Sequence, residues 1–348
     1  MKSQISRRFS VAAFALVLSG AAFQSVQAAT LEHKWRAGEQ LAYDVALDGT
    51  MTVETDASAP ILFAGIPLDV KLNGNAALNL DTREVATDGG AVVALSFPRV
   101  QLKGSAWEQN LVLDANAGEM TFTFNGQKNA KTTPVPWLVN PNYALLVSKN
   151  AKIERIVSLK TPEETAATPE PKTGLPVNVA GLMRSMALQL FPALWPNREV
   201  APGETWSVES RLPVPAANAA DRPALELLPL GKFDLTLGNE EEVNGKRAYR
   251  VAMQGLLDLD KAKAARLNPA GKGTRLSSGS QKVTGIFWFD AAAGQVVRAD
   301  LKLGGDLAGI ISSPAKNPGD TPTSFAASER FNGTLTFNLK STSMKATN

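Results

Sequence analysis

Residues 41–53 read LAYDVALDGTMTV: the odd positions carry Leu, Tyr, Val, Leu, Gly, Met and Val, while the even ones carry Ala, Asp, Ala, Asp, Thr and Thr. A period of two is a β-strand with one face turned to a core and one to water. The same alternation returns from Ile66 to Leu80, with Asp69, Lys71, Asn73, Asn75 and Asn79 on the polar side. It returns again from Val297 to Ile311, with Arg298, Asp300, Lys302 and Asp306. At about 3.3 Å per residue such runs would span roughly 45 Å, well beyond an ordinary sandwich strand. Gly49, Gly74 and Gly305 fall inside these runs, where a bend or bulge would curve the strand. The fold expected is mainly β: a large curved antiparallel sheet, a half-barrel or open barrel.

The chain repeats itself in outline. Ala37-Gly38-Glu39 and Pro202-Gly203-Glu204 each open an extended run. LVLDANAGEM (111–120) and FWFDAAAGQV (287–296) share an Asp-x-x-x-Gly hairpin pattern. Between these marks each half holds a further strand–turn–strand, with Gly89-Gly90 and Asn244-Gly245 supplying the positive φ of tight turns. This order suggests two similar β units, 29–160 and 197–348. Between them, 161–177 is rich in Pro, Thr and Glu and reads as a flexible linker. The segment 178–196 follows, with Val179, Leu182, Met183, Met186, Leu190, Phe191 and Leu194 spaced three and four apart; it predicts one amphipathic helix packed on the sheet.

Residues 1–28 combine Lys2, Arg7 and Arg8 with an apolar run and end in Val26-Gln27-Ala28, the pattern of a cleaved secretory signal. Ordinary secretion fits better than the twin-arginine route, because Phe9 stands one place early for that motif. The expected location is the periplasm or the exterior. Of 36 basic and 33 acidic residues the signal holds three basic, so the mature chain carries 33 of each. That balance, without a basic cluster, argues against a nucleic-acid partner. No second apolar run reaches bilayer length once the signal is removed. The chain has no cysteine, which excludes disulfides, thiolate metal sites and cysteine nucleophiles.

Chemistry finds few residues to act with. His33, the single histidine, cannot anchor a multi-histidine zinc site, and its place before the first strand suggests an exposed residue. Ser313-x-x-Lys316 and Lys172-Thr173-Gly174 mimic a β-lactamase pair, yet both lie in proline-rich loops and in the wrong order. Glu240-Glu241-Glu242 and Asp258-x-Asp260 lack a calcium-loop context. Neither a catalytic residue, a metal site nor a cofactor is expected. Leu182, Met183, Met186 and Leu190 on the 178–196 segment, with Trp206, Phe287 and Phe289 on strands, are the candidate ligand wall, the strand aromatics reading first as core under the helix.

Val200-x-Pro202-Gly203-Glu204-x-Trp206, after a helix ending in a Pro-containing loop, resembles an uncharacterised bacterial family of secreted, β-rich proteins with a Pro-Gly-Asp/Glu-x-Trp strand start. Trp35, Gly38, Glu39 and Tyr43 look like that family's N-terminal strand. The resemblance implies no activity. At the level of fold, a curved sheet with a covering helix is similar to the clamshell of periplasmic lipoprotein carriers. The function expected is therefore non-catalytic: binding of an apolar small molecule, lipid or partner between sheet and helix. The alternatives are a structural or interaction protein of the envelope, with another envelope protein as partner, and a carboxylate-based hydrolase. Exported protein should begin at Ala29, as N-terminal sequencing of protein recovered outside the cytoplasm would show; a retained Met1 would overturn the signal reading.

Overall fold

The computed structural model describes residues 28–56, 67–106, 108–128, 132–134, 139, 143–149, 153–158, 194–215, 225–267, 274–313 and 323–344. Its strands are β1 (Ala29–Leu31), β2 (Glu39–Thr55), β3 (Leu68–Val85), β4 (Ala91–Ala106), β5 (Gln109–Asn116), β6 (Glu119–Phe124), β7 (Gln127–Lys128), β8 (Thr133–Pro134) and β9 (Tyr143–Val147). They continue with β10 (Ile153–Ser158), β11 (Arg198–Val200), β12 (Thr205–Pro215), β13 (Leu225–Val243), β14 (Lys246–Leu259), β15 (Thr274–Asp290), β16 (Gln295–Ser313) and β17 (Thr323–Met344). A short helix, α1 (Lys261–Leu267), joins β14 to β15.

One antiparallel sheet holds nearly all of these, in the order β12-β13-β14-β15-β16-β17-β2-β3-β4-β5-β6-β7, with β9 on β4, β10 on β9 and β8 on β6. The path does not close on itself. β1 and β11 form a separate two-stranded ribbon. The expected mainly β, open curved architecture is the one observed.

The halves of the chain meet where β17 pairs with β2, from Ala327↔Thr55 to Met344↔Glu39. Counted from their Gly-Glu starts, the halves run in the same strand order. Gly38 and Gly203 both take positive φ (77° and 83°). Their amides donate to the second strand of each unit, to Thr82 and Leu237 at 2.8 and 2.7 Å. The Gly89 and Asn244-Gly245 turns both connect second to third strand, and the two Asp-x-x-x-Gly stretches both connect fourth to fifth. Those last turns are built differently. Ala117-Gly118 is a two-residue turn between Asn116 and Glu119. Residues 291–294 form a four-residue turn, in which Asp290 accepts from the Ala293 amide at 2.8 Å.

Two expectations need correction or lie out of reach. The linker 161–177 and most of the 178–196 segment, Leu182, Met183, Met186 and Leu190 included, lie outside the described residues. The end of that segment, 194–196, is turn and irregular backbone rather than helix; Pro196 disfavours helical geometry at Trp195 before it. The helix that is described, α1, lies elsewhere. It starts where Asp260 accepts from the Lys263 amide at 2.9 Å, so the Asp258-x-Asp260 pair is explained by a helix cap.

The core occupies one end of the sheet. Leu41, Tyr43, Leu78, Leu80, Val93, Leu235, Val251, Phe287, Phe289 and Ala299 are buried there, with Leu31 and Val200 of the ribbon. The Tyr43 hydroxyl donates to the Val296 carbonyl at 3.0 Å, tying β2 to the start of β16. Glycines stand on this apolar face, where the expected curvature would need them. A Cβ at Gly305 would lie 2.2 Å from the Ser280 carbonyl oxygen, and one at Gly285 2.4 Å from that of Asp300. Gly104 has room, with nothing nearer than 3.7 Å. Gly305→Ala should therefore lower stability by about 2–4 kcal/mol, and Gly104→Ala change it by only about 0.5 kcal/mol, in urea unfolding. Equal effects would mean that the glycines do not set the curvature.

Candidate functional site

The same strands are sealed at one end and open at the other. Along β2, Leu41 and Tyr43 are buried, while Val45, Leu47, Met51 and Val53 on the same face are only half-buried. Along β17, Phe337 is buried, whereas Leu335, Phe331 and Phe325 are half-buried. β3 passes from Leu80 and Leu78 to Leu72 and Val70, and β16 from Leu301 to Leu303 and then Leu307 at 37% exposure, whereas on β14 Leu257 is half-buried but Leu259 beyond it is buried again. At the β5–β6 side, Leu111 and Phe124 reach 46% and 51%.

Register makes these residues one surface. Met51 stands between Phe331 and Val70, Leu47 between Leu335 and Gly74, and Val45 between Phe337 and Ala76. Leu72 faces Gly104, Leu102 faces Leu113, and Leu113 faces Phe122. Large side chains alternate with glycine across this surface. The result is a half-buried apolar face, the trough, along the outer halves of β16, β17 and β2–β6. Its reverse side is mainly polar, though Leu256 and Ile310 are exposed on it, and carries ion pairs, among them Arg330–Asp306 at 2.9 Å and Lys340–Asp44 at 3.6 Å.

Trp206, Phe287 and Phe289 do not line this trough; the fold places them in the packed end, at 7%, 0% and 0% exposure. Trp195 closes over them, with its ring 4.2 Å from that of Phe289 and 6.0 Å from that of Phe287. The Trp206 indole donates to the Leu194 carbonyl at 2.8 Å. The trough residues themselves were within reach of sequence reading as the apolar phase of residues 41–53 and 66–80. What the phase alone does not reveal is how far along each strand the cover extends.

The polar candidates have structural partners. Glu240 pairs with Arg247, and Glu241 accepts from the Trp288 indole. Asp114 Oδ2 accepts from Gln101 at 3.4 Å. His33 is a correction: it is buried at 5% exposure, against Trp35 at 4.0 Å, because residues 33–36 cross over to the turn at 291–294. Lys34 donates to Ala291 and Ala292 there, and Arg36 to Ala293. Burial, with a smaller contribution from the Arg36 charge, holds the imidazole down at about 3, and neither ring nitrogen has a hydrogen-bond partner. Such a ring is neutral at physiological pH and positions no proton. Among the described residues no three of His, Asp and Glu gather as a group that could hold a metal ion. A cleft of about 610 Å³ beside α1, lined by Ser207, Glu209, Lys232, Asp258 and Lys263 among others, lies on the polar side of β12–β14.

No protein-family model matches this chain, so no family match supports the expected resemblance to an uncharacterised secreted family. No curated protein matches it either. A structure described as lipid-protein interactions in lipovitellin aligns over 90% of this chain, at 10% identity and a TM-score of 0.39. The chain spans 26% of that protein's length. A CymD monoaromatic hydrocarbon channel aligns over 88% of this chain and 89% of its own, at 8% identity and a TM-score of 0.12. Scores this low transfer neither a fold nor a ligand.

The His33 geometry has a thermodynamic consequence. Its folded value lies below the 6.5 of the unfolded chain, so the unfolded state takes up the proton first. Its contribution to stability is full above that value and declines as pH falls toward 3. Urea unfolding should show wild type losing roughly 2–3 kcal/mol more than His33→Leu between neutral pH and pH 4.5. Parallel profiles would show that the imidazole is not sealed.

Proposed function

We propose that this is an exported, non-catalytic protein that holds an apolar ligand, the alkyl chain of a lipid or similar molecule, in the trough of its sheet. One observation carries the reading: on strand after strand the apolar face continues well past the point where burial stops. A soluble monomer rarely leaves a contiguous apolar surface of this extent in water without a use for it. Concave, mainly apolar walls are the usual form of a small-molecule site. The strands are long enough for an extended chain, since Phe325 to Leu335 covers ten residues, roughly 33 Å of backbone. Leu182, Met183, Met186 and Leu190 belong to this reading as a cover: an amphipathic segment whose flexible methionines would adapt to varied chains.

The two halves, alike in strand order and in their Gly-Glu starts, are consistent with a duplicated unit whose copies share one trough. In the competing reading the 178–196 segment packs the trough shut and the protein is structural. Native mass spectrometry of detergent-free protein separates the two. Bound apolar mass, lost in Leu47→Asp and in Met186→Asp while circular dichroism stays that of a β protein, supports the carrier. Homogeneous ligand-free protein that unfolds on either substitution would make the trough ordinary core.

A further inference from the structure

One side chain in the trough breaks its chemistry. On β17 the apolar phase runs Phe325, Ala327, Glu329, Phe331, Gly333 and Leu335, so a carboxyl occupies a position otherwise held by apolar or small residues. Register sets Glu329 between Val53 of β2 and Leu307 of β16. The charged residues next to these, Glu54, Asp306 and Arg330, belong to the opposite phase; Arg330 and Asp306 pair with each other there. Neither β2 nor β16 presents a cation to Glu329, and among the described residues the half-buried carboxyl has no hydrogen-bond or ion-pair partner. A carboxylate in apolar surroundings is costly unless something compensates it. Among the described residues nothing does.

The position is informative as well. Glu329 lies near the outer end of β17, whereas Phe337, eight residues further on, is buried in the packed end. Those eight residues correspond to about 25 Å of trough floor. A molecule with its head at Glu329 could lay a long alkyl tail over Phe331, Met51 and Leu335.

We propose that Glu329 is the head-group site of the trough, and that the ligand is an amphiphile with a long alkyl chain and a protonated amine head. Charge complementarity selects the cation. Among the described residues the trough offers one uncompensated negative charge, and register brings no lysine or arginine onto this face of β2 or β16 to receive an anionic head. Burial raises the Glu329 carboxyl above the usual carboxylate range, so acidification neutralises it early and weakens its hold on a cation. The inference rests on the trough being a ligand site, and the test keeps the two apart.

The full exported chain is titrated calorimetrically with dodecylamine, dodecanol and dodecanoate below their micelle concentrations, as wild type and as Glu329→Gln. Near neutral pH the amine should bind wild type about tenfold more tightly than the variant. Dodecanol should bind both alike, and dodecanoate should prefer the variant. The advantage of the amine should vanish as pH falls through the carboxyl's titration. If dodecanol binds both proteins while amine and carboxylate fail to distinguish them, Glu329 is no head-group site although the trough reading stands. If no probe binds either protein, the trough reading falls and takes this inference with it. Should Glu329→Gln not fold, the pH series on wild type decides: amine affinity that does not change across the titration overturns the proposal.

Discussion

The pairing of β17 with β2 is the contact on which the rest of the structure depends. It joins the last strand of the chain to the first long one, with Leu335 against Leu47, Gly333 against Gly49 and Phe331 against Met51. Without it the two halves would be separate sheets, each with an exposed hydrophobic edge inviting association. With it they form one surface whose apolar phase runs from β16 through β3, interrupted by Glu329 on β17. A slip of one residue at this seam would send Asp44 and Asp48 to the apolar side and Val45 and Leu47 to water, so register is fixed by the cost of the alternative. The seam also spans most of the sequence. Its loop-closure entropy must be met before its contacts form, so folding is expected to be slow compared with a local β-meander.

Curvature follows from what surrounds that seam. Glycine meets glycine at 49 and 333, and meets large side chains where Gly74 faces Leu47 and Gly255 faces Phe233. A flat sheet would have room for a Cβ at each of these places. Here Gly49 has the Asn332 carbonyl oxygen 2.7 Å from where a Cβ would stand, and Gly255 has the Phe233 ring at 2.2 Å. Removing the side chain lets neighbouring backbone and rings approach this closely. The free edge is guarded by other means. β12 ends in Arg211-Leu-Pro-Val-Pro215 and carries Glu209, so charge and missing amide donors discourage another strand from adding there.

Much of the fold was legible in residues 41–53, 66–80 and 297–311, because alternation at period two is a local property that survives without knowledge of partners. The turns at Gly89 and Asn244-Gly245 were legible for the same reason. The β17–β2 seam was not: nothing local records which distant strand completes a pair. His33 escaped because its burial comes from a segment crossing over to residues 291–294, a tertiary event that leaves no mark on its neighbours in sequence. Trp206, Phe287 and Phe289 were recognised as apolar strand positions, but alternation assigns a face and not a depth, so packed end and open trough look alike. Glu329 is a different case. A charge in the apolar phase of SFAASERFNGTL (324–335) is visible in the sequence itself, and it gains meaning only when the register shows that no cation faces it.

A single set of strands thus does two things, and the division between them explains how an open face can persist. The packed end has Trp195 over Phe287 and Phe289, the ribbon of β1 and β11, and the Tyr43–Val296 hydrogen bond. Burying a side chain such as Phe287 contributes about 1.5–3 kcal/mol, and many such residues gather there. Because each strand runs through both ends, that stability is transmitted along the backbone ladders to the trough, which needs no cover of its own to stay in register. The trough is then the low-stability end by construction, where local opening costs least. Any molecule that binds the folded trough and not the unfolded chain stabilises the whole by mass action. Occupancy and folding are linked through the same strands: the apolar surface left open at one end is tolerable because the other end is closed.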